Sequence, residues 1–310
     1  MSPYLRPDVL VSTNDVAEHL TDPRMRILEC DSDSDLYAKG HIPGALNVNY
    51  VADLCVPNSR DCIGPAEFEA LAGRLAIGED TPVLFYGDQN NILACYAYWV
   101  FRLYGHPHLK VMNGGRQKWI DEKRPLTKDP ARPAATKYRV KQVYPEFRAL
   151  REDVLERLTD SRATQAPAQK GTILVDDRTA EEFRGEFLDG PQATPRFLRG
   201  GHIPGAVNLP WKELVANDGT FKSADDLRTV LFAKGITPDK DVVVYTRIGE
   251  RSSMLWFAIH ELMGFPRVSN YDGSWTEWGN LVGAPIESGT MPMITLPSQG
   301  RETTARERRA

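Results

Sequence analysis

The stretch "VVVYTRIGERSSM", residues 242–254, ends an apolar β-branched run at Tyr245 and opens a longer amphipathic segment through a short loop. That loop, 246–251, holds Arg247, Gly249 and Arg251. Strand, glycine-bearing loop and helix in that order make an anion cradle. Loop N–H groups and the dipole of a helix opening near Ser252 attract negative charge, and would lower the pKa of a thiol placed among them. Gly249 allows the tight curl, and the two arginines add positive charge. The first loop residue, however, is Thr246, whose hydroxyl has no pKa near neutrality. No adjacent general base is evident from the sequence. The loop therefore reads as catalytic, as degraded, or as a binding site without a nucleophile. A plain strand-to-helix connection with two solvated arginines is the bland alternative. Ser252 and Ser253 read as helix-start residues.

The elements that would position this loop occur twice. "GHIPGALNVNY" at 40–50 returns as "GHIPGAVNLPW" at 201–211, and "VLFYGDQNN" at 83–91 matches "VVVYTRIGE" at 242–250. Gly105, Pro107, Gly114 and Trp119 continue the second register onto Gly264, Pro266, Gly273 and Trp278. This is a tandem duplication with a period too long for a solenoid. Each copy predicts a helix, an apolar strand ("RILECD", "TILVDD"), the His-Ile-Pro-Gly-Ala turn with a short strand, an amphipathic helix, the strand before the loop, a helix and a last strand. In the second copy the amphipathic helix is "SADDLRTVLFAKG", with Ser223 as cap, Gly235 as stop, and Leu227, Val230 and Leu231 on one face. Strands apolar throughout, alternating with helices, predict α/β domains, each a parallel sheet with helices on both faces. The expected boundaries are 1–126, a Pro/Ala-rich linker at 127–145, and 146–295. A surface insertion is expected near 185–199 and a disordered charged tail at 296–310. The first copy's loop carries Asp88 and no cation, so only the second pocket favours an anion.

The whole chain sets broad limits. It has 310 residues, 41% hydrophobic and 26% charged, enough for two globular cores. A net charge of −4 without a basic block argues against nucleic acid as a partner. No stretch reads as a signal peptide or membrane span, so the cytoplasm is the default. Four cysteines (Cys30, Cys55, Cys62 and Cys95) do not suggest a disulfide scaffold at this length. Cys95 is expected on the first copy's loop helix as a buried apolar residue. His41 and His202 sit at equivalent turns and read as structural hydrogen-bonders, so no metal and no cofactor is expected. Cys55 and Cys62 would hold a metal only with partners the sequence does not show.

The duplication and the loop together resemble the two-domain rhodaneses, the thiosulfate sulfurtransferases. "YAKGHIPGALNV", Tyr37 to Val48, fits that family's amino-terminal signature, and "VSNYDGSWTEW", Val268 to Trp278, fits its carboxy-terminal one. The resemblance implies two rhodanese-like domains, an inactive first one with Asp88 in a vestigial loop, and a catalytic second one. It places Thr246 where the family's persulfide-forming cysteine stands. The remaining loop, "RIGERS", matches the thiosulfate-using branch at Arg247 and Gly249, whereas Ile248 replaces a lysine of some relatives. The implied substrate site comprises Arg247, Gly249, Glu250, Arg251 and Ser252, joined by Asp176, Arg178 and Arg184 from the stretch after "TILV". Glu182 falls where some relatives place an arginine. Trp275 and Trp278 read as packing residues. The implied reaction moves sulfane sulfur from thiosulfate to cyanide or a thiol acceptor, with Thr246 unable to store it. The alternative is a pseudo-enzyme keeping an anion pocket or an interaction surface. A phosphatase akin to the rhodanese-related cell-cycle enzymes would also need the missing cysteine and a longer loop.

Overall fold

The computed structural model describes residues 3–20, 22–163, 171–186 and 198–289. Most of the expected insertion, and the whole of the tail at 296–310, lie outside them. Among the described residues nine strands fall into two sheets: β1 (Leu10–Val11), β2 (Arg26–Glu29), β3 (Leu46–Asn47), β4 (Val83–Tyr86) and β5 (Leu109–Met112), then β6 (Thr172–Asp176), β7 (Val207–Asn208), β8 (Asp241–Tyr245) and β9 (Val268–Asn270). Their orders are β1-β5-β4-β2-β3 and β7-β6-β8-β9, with every pairing parallel. β4 is buried along its length, and β8 from Val242 onward. Helices cover both faces, which is why these strands are apolar at consecutive positions rather than alternating.

The two copies share bonds as well as sequence. The Tyr86 hydroxyl accepts the Ile42 N–H at 3.0 Å, and the Tyr245 hydroxyl accepts that of Ile203 at 3.1 Å. Each His-Ile-Pro-Gly turn is tied by a two-way backbone bridge, His41 to Thr127 and His202 to Glu287. Both histidines are buried, each with Nδ1 on a backbone carbonyl (Tyr37 at 2.9 Å, Phe183 at 2.8 Å), so they brace the turns. The helix Ala224–Ala233 is capped by Ser223 and buries Leu227 and Leu231, with Val230 half-buried. The segment 127–144 forms no helix. It is laid onto the helix Pro65–Arg74, with Thr136 N–H on the Gly73 carbonyl at 2.9 Å and Tyr138 buried.

The domains meet through the helices that follow their two equivalent loops, Ile92–Leu103 and Glu250–Trp256. The second runs on into a π-helical turn, Phe257–Leu262. Phe257 meets Tyr98 edge-on at 4.9 Å, Trp256 packs on Phe147 at 5.1 Å, and Trp99 Nε1 donates to the Phe147 carbonyl at 3.0 Å. The chain's start crosses over as well. Leu5 N–H donates to the Leu262 carbonyl at 2.8 Å, the Tyr4 hydroxyl to that of Lys222 at 2.7 Å, and Arg6 pairs with Glu261.

Candidate anion site

Register fixes the centre of the site. β6 and β8 pair with Asp176 opposite Tyr245, so the next residues, Asp177 and Thr246, emerge side by side at the carboxyl ends of two adjacent strands. Ligands bind at such ends in open α/β sheets. Thr246 is fully buried. Its N–H donates to Ser274 Oγ at 3.2 Å and its carbonyl accepts the Trp275 N–H at 2.9 Å. The Arg247 carbonyl accepts from Thr276 N–H at 2.9 Å and Oγ1 at 2.7 Å. The terminal signature is thus the strap that shapes the loop from outside. Gly249 has φ +90°, and a Cβ there would lie 2.5 Å from the Asp272 carbonyl oxygen, so only glycine passes. Because Gly249 curls this early, the helix begins at Glu250, two residues before the expected Ser252. Ser252 instead ties the curl down, with Oγ 3.1 Å from the Gly249 carbonyl and 2.7 Å from Asn270 Oδ1.

A pocket of about 450 Å³ opens above the loop, between the domains. Arg247, Ile248, Glu250 and Arg251 line it with Thr179, Glu182, Trp211 and Lys212; Ser32, Tyr50, Gln89, Ile92 and Leu93 close it from the first domain. Three cations face two carboxylates there. Glu182 Oε2 lies 3.6 Å from Arg251 Nη1, and burial raises the Glu250 pKa. A larger cavity, about 1060 Å³, lies beside Arg26 and Pro82, at the amino ends of β2 and β4, where the sheet offers no loop-and-helix cradle.

Not every residue named from the sequence reaches this pocket. Asp176 and Arg178 are fully buried below it. Arg178 Nε and Nη2 bind the Asp176 carboxylate at 3.0 and 2.7 Å, Nη2 also reaches the Gly201 carbonyl at 2.6 Å, and the guanidinium lies 4.5 Å from the Trp275 ring centre. They brace the floor and do not line the wall. Arg184 turns to Glu186 (2.6 Å) and Glu181 (3.8 Å), because its short helix, Ala180–Arg184, points that residue away from the loop. Glu182, on the same helix, faces the pocket. Trp278, like Trp275, is fully buried.

The residue missed from the sequence is Asp177. It is fully buried. Burial drives its pKa well above the carboxylate range, against the pull of Arg251 and of the Thr246 hydroxyl facing it. That hydroxyl approaches without closing a full hydrogen bond, so Thr246 Oγ1 and both Asp177 oxygens have no bonded partner. The one available signal was a second aspartate at the end of an apolar strand, in "VDDR". Lys212 and Tyr50, which line the pocket, were also missed, as was Asn270, which holds Ser252 from β9; only Tyr50 comes from the other copy.

The first copy's loop is closed to such chemistry. Gly87 holds the position of Thr246, and a Cβ there would sit 2.0 Å from the Cys30 carbonyl oxygen. Asp88 accepts from the N–H groups of Ser32 (2.7 Å) and Asp33 (3.3 Å), so its carboxylate is tied to the turn that follows β2. Cys30, Cys55, Cys62 and Cys95 are all free and buried, and burial raises each thiol pKa. Among the described residues no group of three or more His, Cys, Asp or Glu is arranged to hold a metal ion, and no helix is long and apolar enough to cross a membrane.

Comparison with known proteins agrees with this architecture. A rhodanese-like domain matches twice, over residues 12–122 and 156–281. The sulfur carrier protein TtuD of Thermus thermophilus is 50% identical over 287 residues, covering 92% of this chain and 99% of its own. A Haloferax volcanii protein named "Putative thiosulfate sulfurtransferase" is 46% identical, covering 91% and 97%. Among solved structures, an EanB variant carrying a cysteine persulfide with ergothioneine superposes with a TM-score of 0.78 at 25% identity, over 94% of this chain and 73% of that one.

Proposed function

The chain belongs to the rhodanese family, two rhodanese-like domains in tandem, and from that premise we propose that it binds a thiosulfate-type oxyanion at 246–251 without becoming loaded with sulfur. The family reaction takes the outer sulfur of thiosulfate onto a thiolate and passes it from the persulfide to cyanide or a thiol. The first step is attack at sulfur by an ionised thiol, the second is cleavage of the new S–S bond. Thr246 offers an alcohol instead, and an oxygen–sulfur adduct would hydrolyse rather than store the atom. One observation carries the reading: the side chain at the nucleophile position is a hydroxyl, and no cysteine is among the residues that line the pocket.

In this reading Arg247 and Arg251, with Lys212 opposite, supply the attraction, and the loop amides supply directed donors. A protonated Asp177 lies under the bound anion and adds no repulsion, whereas an ionised one would. The test is thiocyanate production from thiosulfate and cyanide by the parent and by Thr246→Cys. The parent is expected to give little or none, and the variant a clear gain. A mass spectrum of thiosulfate-treated parent should show no added sulfur. Turnover by the parent, or one extra sulfur on any cysteine, overturns the proposal. If the parent binds no sulfate or thiosulfate by calorimetry, the anion site itself is wrong.

A further inference from the structure

Cys55 and Cys62 face each other across an antiparallel bridge at the edge of the first domain. Val56 N–H donates to the Asp61 carbonyl at 2.7 Å and Ile63 N–H to that of Leu54 at 3.2 Å. These flanking bonds make 55 and 62 a non-hydrogen-bonded pair, the type whose Cα atoms approach to about 4.5 Å. That lies inside the roughly 4.4–6.8 Å window of disulfides. Both are free thiols, and both are buried.

The turn they close is in contact with the pocket loop. Asn58 and Arg60 hold positive φ (64° and 59°), a conformation L-residues keep only when their surroundings enforce it. Arg60 reaches across the domain boundary, Nη1 donating to the Ile248 carbonyl at 2.6 Å and Nη2 to that of Gly273 at 3.2 Å. Asp61 pairs with Arg148, which also grips Asp272 at 3.0 Å. The hairpin 55–62 is therefore the first domain's handle on the loop and on the turn that straps it. The thiols lie behind the pocket wall. The Tyr50 hydroxyl lies against Cys55 and that of Tyr96 against Cys62, the two rings meet edge-on at 5.1 Å, and Tyr50 forms part of the pocket wall.

We propose that Cys55 and Cys62 form a reversible disulfide, a redox clasp that fixes the Arg60 turn against the loop 246–251. The oxidant is a small-molecule disulfide. The Cys55 thiolate attacks one of its sulfurs and expels one thiol. The Cys62 thiolate then attacks the Cys55 sulfur of the mixed disulfide and expels the second. Two electrons pass from the protein pair to the reagent, and the protons lost by the two cysteines end on the two released thiols. With the turn fixed, Arg60 holds the Ile248 and Gly273 carbonyls in place before a ligand arrives, which lowers the ordering cost of binding. That consequence rests on the reading of 246–251 as an oxyanion site; formation of the bridge does not.

The experiment treats the full chain at mildly alkaline pH with oxidised glutathione, maps peptides without reduction, and titrates sulfate into the oxidised and the dithiothreitol-reduced protein by calorimetry. The expected product is a 55–62 cross-link, two hydrogens lighter and reversed by reductant. Cys62→Ser should stop at a glutathione adduct on Cys55. Sulfate should bind roughly three- to tenfold tighter to the oxidised form, as for other preorganised loops, and Arg60→Ala should abolish that difference. Free thiols at both positions after prolonged oxidation, or pairing with Cys30 or Cys95 instead, would overturn the bridge. A bridge with equal affinities in both states would overturn the clasp. Should sulfate bind to neither state, the oxyanion reading fails, while peptide mapping still decides the bridge.

Discussion

Thr246 and Asp177 have to be considered as a pair, because the strand register that sets one at the loop's start sets the other beside it. A thiol introduced by Thr246→Cys would face a buried carboxyl, and any ionised fraction of Asp177 opposes formation of the thiolate. Thr246→Cys/Asp177→Asn should therefore exceed Thr246→Cys in thiocyanate production as the pH rises through the raised Asp177 pKa, by about threefold for each unit by which the thiol pKa falls, since the gain in thiolate fraction is partly offset by its lower nucleophilicity. Equal rates at every pH would show that the two side chains do not interact. Asp177 also imposes a pH dependence on stability. Its folded pKa is raised, so between the ordinary carboxylate value and the raised one the folded chain keeps a proton that the unfolded chain has lost, and stability falls as pH rises through that window. Arg251, Thr246, Asp176 and Glu250 all face the group and set the top of the window. Asp177→Asn should flatten the denaturation midpoint against pH, its advantage over the parent growing towards alkaline pH; parallel curves would refute this. Thr246, Arg247, Gly249 and Arg251 were legible because they are contiguous. Asp177 was not, because its importance arises from a neighbour 69 positions away in the chain that only the strand pairing supplies.

At the scale of elements, the strand-to-helix junctions separate residues that line the pocket from residues that hold its floor. Asp176 ends β6, and Arg178 folds back to grip it under Trp275 with every one of these groups sealed from solvent. Removing one member of a buried pair strands the other's charge, which costs about 3–5 kcal/mol. Arg178→Ala should lose stability on that scale in chemical denaturation, whereas Arg184→Ala, on the exposed rim of the neighbouring helix, should change neither stability nor sulfate affinity appreciably. Comparable losses from both would put Arg184 in the floor as well. Strands and helices were readable because their apolar periodicity is local. The Asp-x-Arg spacing was readable too, but its direction was not: whether Arg178 points up to a ligand or down to Asp176 depends on Trp275, which the first copy replaces with Arg116 paired to Glu29. The opening of the loop helix slipped by two residues for a similar reason, since Gly249 takes its left-handed conformation against Asp272, far away in sequence.

For the whole molecule the duplication was evident in the sequence, but not the way its halves join. Repeated motifs record what each copy needs internally; the junction is made from residues that differ between them, such as Tyr98 and Phe257, and from a crossing amino-terminal segment with no counterpart in the repeat. One apolar cluster runs through both domains, from Phe68 and Trp99 to Trp256 and Leu262, so the halves should unfold together in a single transition. Glu261 is the polar pin of that junction. It is fully buried, accepts Arg102 Nε at 2.9 Å, and pairs with Arg6 from the chain's start. Arg102 is itself largely covered, so deleting the carboxylate leaves a guanidinium with little water to replace it. Glu261→Ala should therefore weaken the junction more than either domain's own core, and calorimetry should resolve two unfolding transitions where the parent shows one. Arg6→Ala removes only the more exposed partner and should keep the single transition with a smaller fall in midpoint. Two transitions in the parent would show that the shared cluster does not couple the domains. One transition in Glu261→Ala would assign the coupling to the aromatic contacts of Tyr98, Phe147, Trp256 and Phe257 instead.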